Sequence, residues 1–303
     1  MIFLNLFSVN TLAQAETISS TAVVSATDVA VSSTQISSAT TIKVITPAAS
    51  ARESLVKWCV QSLGAYKNFK AKTNLEKSCE KILLKDRCVS VNGKPIFHLD
   101  QKGKNEKAKN ILVISVIHGD EIGAGSLGRY WFERVQEIDP RNNWRIIPVA
   151  NPDGALKKSR TNASGVDLNR NFPTADWEAE AEKFWKKDAK SSARKFPGEK
   201  AASEPEVNCI MDHIEEFKPQ FVISVHTPLN VLDYDGPKVP APNYSYLPWR
   251  RLGNFPGSLG RYLWVEQKVP VLTAELKPDL PTGSSVFDQL QDVIGQLVQT
   301  DLK

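Results

Sequence analysis

Three apolar runs, rich in β-branched residues, each end in a side chain able to hold a metal ion or move a proton, and this pattern narrows the fold more than any other feature. Residues 111–117 read ILVISVI and lead into His118, residues 221–225 read FVISV and lead into His226, and residues 270–274 read PVLTA and lead into Glu275. Runs that stay apolar at successive positions suit strands buried on both faces, as in a sheet with helices packed on either side. Open α/β sheets bind ligands beyond the carboxyl ends of their strands. The ends of the first two runs therefore bring His118 and His226 to the same kind of sheet edge.

The segment His118-Gly-Asp-Glu121 lies where the first run gives way to an amphipathic stretch over residues 124–136. On a helical turn, positions i and i+3 share one face, so His118 and Glu121 can address one ion and His226 can supply a third ligand. Two imidazoles and one carboxylate suit zinc with a coordination position left for water, whose pKa falls to roughly 7 in such sites. The other two histidines lack this setting. His98 follows Pro-Ile-Phe in an expected strand and His213 sits within an expected helix, and both read as structural.

Further polar clusters follow in one order: Asn151-Pro-Asp-Gly154, Gly165-Val-Asp-Leu-Asn-Arg-Asn-Phe-Pro173, Ser224-Val-His226 and Thr273-Ala-Glu275. Taken singly each is weak. A strand-end carboxylate such as Glu275 usually faces solvent, paired arginines usually decorate a basic loop, and Asp167 could be an Asx-type turn residue. Taken together they resemble the M14 metallocarboxypeptidase family, and in particular its bacterial murein peptide amidase branch. The resemblance covers roughly residues 90–280 and is densest over Arg160-Thr-Asn-Ala-Ser-Gly-Val-Asp-Leu-Asn-Arg-Asn-Phe-Pro173.

The resemblance implies that His118, Glu121 and His226 ligate one zinc per chain and that Glu275 is the general acid/base. Arg160 resembles the arginine that polarises the scissile carbonyl, and Asn169 with Arg170 the pair that holds the substrate carboxylate. Asp167 matches the position that hydrogen-bonds the first ligand histidine. It also implies an α/β fold, a carboxypeptidase-like twisted mixed, largely parallel sheet with helices on both faces. The murein branch cleaves the γ-D-glutamyl bond to meso-diaminopimelate, and the segment Val231-Leu-Asp-Tyr-Asp-Gly-Pro237 resembles that branch. Asp233 or Asp235 would meet the distal ammonium of diaminopimelate or serve the turn at Gly236-Pro237. Two rival readings are a deacylase of N-acyl amino acids using the same ligands, and a degenerate peptidase that binds wall peptides without cutting them. The complete 165–173 cluster speaks against the first, and retention of Glu275 against the second.

The 303 residues, 41% hydrophobic, suffice for one core of roughly 230 to 250 residues. The net charge of +4 is spread rather than striped, and the lysine-rich stretches over 101–109 and 183–200 are interrupted by acids and read as solvated loops or helix faces. Nothing in that pattern suggests a nucleic-acid partner. Residues 1–15 combine a short apolar run with Ala13-Gln-Ala15 and read as a signal peptide lacking its basic start, residues 16–50 as a Ser/Thr/Ala-rich disordered tether. Export to the periplasm follows, with a cytoplasmic protein as the alternative. No stretch reaches membrane-spanning length.

Residues 51–88 are expected to form a distinct helical segment, with helices over 52–63 and 74–84, ahead of a catalytic domain over 89–303. The segment carries Cys59, Cys79 and Cys88, for which one disulfide is expected. Cys209, in a helix opened by the capping-box pattern Ser203-Glu-Pro-Glu206, is either a buried thiol or the partner of the third cysteine. A strand over 144–149 and helices over 259–265 and 286–302 complete the alternation.

Overall fold

The computed structural model describes residues 47–69, 74–277 and 284–300. The signal-peptide expectation for residues 1–15 and nearly all of the tether lie outside them. Helix α1 (Pro47–Gly64) begins five residues earlier than the helix expected at Arg52 and takes in the end of that tether. Among the described residues no helix is long and apolar enough to cross a membrane.

Among the described residues seven strands form one sheet in the order β1-β2-β4-β3-β5-β7-β6. They are β1 (Leu83–Val89), β2 (Pro95–Gln101), β3 (Asn110–Ser115), β4 (Asn143–Ile147), β5 (Phe221–His226), β6 (Val231–Asp235) and β7 (Val271–Glu275). The central strands β4, β3, β5 and β7 run parallel, while β1, β2 and β6 join antiparallel at the flanks. The mixed, largely parallel sheet that the family resemblance implies is what forms.

The pleat sorts the central residues between two cores. Ile111 and Val113 enter one with Leu63 of α1, Trp131 of α3 (Ile122–Arg134) and Phe287 of α7 (Ser284–Thr300). Leu112 and Ile114 enter the other with Val207 and Ile210 of α6 (Pro205–Phe217). Each such fully buried side chain contributes roughly 1.5–3 kcal/mol, in keeping with the unbroken apolar stretch from Ile111 to Ile114 in β3.

Several local expectations change. The helix expected over 74–84 is only α2 (Leu75–Cys79), after which the chain becomes β1, because pairing of Leu83 with His98 and Leu84 with Phe97 overrides local helix propensity. The cysteine-bearing segment thereby contributes the edge strand of the main sheet. β4 stops at Ile147, before Pro148, which has no N–H to offer the ladder. Residues 261–266 form a π-helix within the expected helical stretch. The capping box at Ser203 does not form. Glu204 is the N-cap without a side-chain cap bond, Ser203 Oγ donates to it instead, and Glu206 accepts from Val91 N and Asn162 Nδ2.

Two disulfides link Cys59 to Cys79 and Cys88 to Cys209. The first is the bridge expected within the segment, and the second resolves Cys209 as the partner of the third cysteine. It ties β1 to α6 beside His213, whose ring packs edge-on against His98 at 4.5 Å. Both imidazoles are buried, as expected of structural histidines.

Candidate metal centre and active site

β3 ends two residues sooner than its apolar run, at Ser115, where Val116 takes a φ of 53° and turns the chain out of the sheet. Ile117 and His118 therefore stand beyond the strand end. A backbone hydrogen bond from Glu121 N to His118 O closes the next turn at 3.3 Å, and Glu121 itself is the N-cap of α3. His118 and Glu121 thus come together in a turn rather than on a helix face. Gly119 permits it, since a Cβ there would lie 1.9 Å from the carbonyl carbon of Gly154 in α4 (Pro152–Lys157). Asn151 locks the same contact, its side chain capping α4 at Gly154 N and donating to the Ile117 carbonyl.

His226 ends β5, and register aligns it with Glu275 at the end of β7. The result is a converging donor set. His118 Nδ1 lies 2.8 Å from Glu121 Oε1, His226 Nδ1 lies 3.0 Å from Glu121 Oε2, and the two Nδ1 atoms are 3.2 Å apart. All three residues are buried.

The outward nitrogens are held as well. His118 Nε2 meets Asp167 Oδ1 at 3.0 Å and His226 Nε2 meets Ser224 Oγ at 2.9 Å. An Nε2–H committed to the aspartate leaves the Nδ1 lone pair of His118 facing inward, the arrangement metal-bound imidazoles require. Burial opposes charge on Asp167, but His118 and Arg160 outweigh it and hold the carboxyl well below its usual range. Two imidazole lone pairs and a carboxylate meeting at one point suit a divalent cation of the zinc type. The second cluster of possible ligands, Cys88, Cys209 and His213, has both sulfurs committed to the disulfide.

A cavity of about 580 Å³ opens over this triad and brings Arg160, Asn169, Arg170, Asp233, Asp235 and Glu275 to one lining. Arg160 donates through Nε to Asp167 Oδ2 at 3.0 Å and lies 3.6 Å from Glu121. Asp167, Asn169 and Arg170 sit on a single turn of 3-10 helix, Leu168–Arg170, with Asp167 as its cap. Asn169 fixes the far wall through Leu259 N at 2.8 Å.

Arg170 is buried, and its guanidinium stacks over Phe255 at 4.7 Å. Its Nε has no hydrogen-bond partner, and among the described residues no carboxylate lies within ion-pair distance. Asp233 and Asp235 share a face of β6 by the two-residue period of a strand. Burial, followed by the neighbouring Asp233, pushes the Asp235 carboxyl up to about 6. Neither aspartate forms an ion pair with a described residue. Arg170 Nη1 donates to the Asn169 carbonyl at 2.6 Å, Asp233 Oδ2 accepts from Leu252 N and Asp235 Oδ1 from Asn254 Nδ2, so these three groups are hydrogen-bonded but, among the described residues, have no ion-pair partner.

Two contributions escaped sequence reading. Ser224 is named there only as part of a motif, yet its place two residues before His226 on one strand was the available signal for its hydrogen bond. Arg194 and Lys195, assigned to a solvated lysine-rich stretch, line the cavity from a short 3-10 turn, Ala193–Lys195.

The fold is that of the carboxypeptidases. Carboxypeptidase A from Helicoverpa armigera superposes with a TM-score of 0.58 at 17% identity, covering 84% of this chain and 82% of its own. The murein-tripeptide amidase of Escherichia coli O157 superposes with a TM-score of 0.50 at 22% identity, covering 78% of this chain and 95% of its own. The family model for the M14 peptidases, the zinc carboxypeptidases, matches residues 73–248, more than half of the chain, and the chain belongs to that family. Among curated relatives, murein peptide amidase A of Escherichia coli K12 is 37% identical over 91 residues, 29% of this chain and 37% of its own length. Murein peptide amidase A of Vibrio campbellii is 30% identical over 200 residues, 62% of this chain and 77% of its own.

Proposed function

We propose that this chain is a zinc-dependent peptidase acting on cell-wall peptides, at the bond between γ-D-glutamate and meso-diaminopimelate. The observation that carries the reading is the charge pattern of the cavity. Beside a His118/Glu121/His226 donor set lie a buried guanidinium and two buried carboxylates that have no ion pair with a described residue. Diaminopimelate offers a carboxylate next to the scissile bond and an ammonium on its distal end, and so satisfies both. A C-terminal lysine would offer the same two charges without the distal carboxylate, whereas an ordinary apolar C-terminal residue would leave the aspartates with hydrogen bonds from Leu252 N and Asn254 Nδ2 but no opposite charge.

A zinc ion bound by the triad would supply Lewis acidity and lower the pKa of a water molecule. The chain's own residues do the rest. Glu275, beside His226 in register, takes the proton of the attacking water and returns it to the departing amine. Arg160 stands within reach of the triad and stabilises negative charge growing on the carbonyl oxygen. Arg170 and Asn169 hold the substrate carboxylate, Asp233 and Asp235 the distal ammonium, and Asp167 keeps His118 oriented.

The same reading extends to organisation and place. Residues 1–15 direct export, and the protein works in the periplasm on stem peptides; two disulfides favour an oxidising compartment over the cytoplasm. Incubation with L-alanyl-γ-D-glutamyl-meso-diaminopimelate, followed by mass spectrometry, should release diaminopimelate, with about one zinc per chain and loss of turnover on chelation. Cleavage of α-linked C-terminal residues at the same rate would reduce the reading to a general carboxypeptidase, and turnover of acylated single amino acids alone would make it a deacylase.

A further inference from the structure

The cavity has cations at two depths, and the proposed substrate has anions at two places. Arg170 lies buried within it. Arg194 and Lys195 line it as well, but the Arg194 side chain is 63% exposed and is held by Asp120, whose Oδ2 it meets at 2.7 Å. Asp120 falls between His118 and Glu121 in the chain, so this ion pair ties the guanidinium to the turn that carries two of the three donors. Asp120 also contributes to the electrostatic environment of Arg160. The rim cation accordingly stands on the side of the cavity where the scissile carbonyl would lie.

A peptide that seats its C-terminal residue against Arg170, Asp233 and Asp235 must lead its preceding residue outward past Arg160 to that rim. In an α-linked peptide the preceding residue brings no carboxylate of its own backbone. In a γ-linked D-glutamate it does, because linkage through the side-chain carboxyl leaves the α-carboxylate free, a short methylene arm from the scissile carbonyl. Asp120 occupies one nitrogen of the guanidinium, whose five N–H donors leave others to offer, and Lys195 adds a second positive charge against one acid.

We propose that Arg194, assisted by Lys195, binds the free α-carboxylate of the γ-linked glutamate and is the residue that distinguishes a γ-glutamyl from an α-peptidyl bond. This rests on the peptidase reading above and adds a second recognition point to it. Asp120 acts as a positioning residue, holding the guanidinium at the rim so that little freedom is lost on binding.

The test uses the zinc-loaded full chain and two substrates, the tripeptide above and the same tripeptide with the glutamyl α-carboxylate converted to its amide. Wild type should favour the acid by about tenfold or more in kcat/KM, as expected for loss of one charge-assisted contact, with the difference mainly in KM. Arg194→Gln, and more fully Arg194→Gln with Lys195→Gln, should bring that ratio close to one, and Arg194→Lys should restore part of it. A merely structural role for Arg194 would lower both substrates alike and keep the ratio, which overturns the inference. Equal cleavage of acid and amide by wild type also overturns it while leaving the peptidase reading standing. Failure of wild type to cleave either one takes down both.

Discussion

At the scale of the residue, the site depends on which polar atoms are satisfied and which are left open. His118 and His226 each have one nitrogen tied down, by Asp167 and by Ser224, and one turned inward. Glu275 is different. It is buried, and its Oε2 accepts a long hydrogen bond from Leu229 N at 3.3 Å, so it is oriented without being locked. Glu275→Gln keeps that acceptor and the shape of the wall but removes the proton carrier. Turnover should fall by about two to four orders of magnitude, with zinc content unchanged by metal analysis. Near-normal turnover in the variant would assign proton transfer to another group.

At the scale of the element, the back of the sheet holds a polar cluster that has no part in the chemistry. Arg145 on β4 forms a two-point ion pair with Asp100 on β2, at 2.7 and 2.6 Å, and reaches Glu216 on α6 at 3.1 Å. Between these elements His98 and His213 are buried. Burial pushes His98 down to about 4, against the pull of Asp100, and pushes His213 down to about 3, with His98 and Arg145 adding to the effect. An unfolded histidine takes up its proton near pH 6.5, so below that value the unfolded chain binds protons that the native chain refuses. The stability contributed by the pair is therefore complete above about pH 6.5 and is lost as the pH falls from there through the native values of about 4 for His98 and about 3 for His213. Each such histidine should steepen the loss by up to about 1.4 kcal/mol per pH unit. Denaturant unfolding of wild type and His98→Gln between pH 7.5 and 5 should show a shallower dependence in the variant, and parallel curves would show that His98 protonates in the native state.

Across the whole molecule, the described residues are fastened at two points. The Cys59–Cys79 bridge spans 20 residues of sequence and joins α1 to the end of α2, whereas Cys88–Cys209 spans 121 and joins the edge strand to α6. Constraint of the unfolded chain grows with the size of the closed loop. Replacing Cys88 and Cys209 by serine should cost about 2–5 kcal/mol and replacing Cys59 and Cys79 somewhat less, measured as the extrapolated unfolding free energy from denaturant curves, with m rising as the unfolded chain expands. A larger loss from the smaller loop would mean that packing of α1, rather than chain entropy, dominates.

Sequence by itself determined the parts of this protein that are local or periodic. Apolar runs at 111–117, 221–225 and 270–274 announced the central strands, because a strand buried on both faces can carry little else. The ordered clusters from His118 to Glu275 announced the family and the residues that share the cavity. Tertiary structure decided the rest. Residues 80–84 left a helical pattern once β2 offered pairing, and Cys88 found Cys209 because β1 lies against α6. Arg194 left its apparent surface stretch for the cavity rim, where Asp120 holds it. In each case the deciding partner is distant in sequence, so its contribution does not exist until the chain has closed the loop between them, and no window of neighbouring residues contains it.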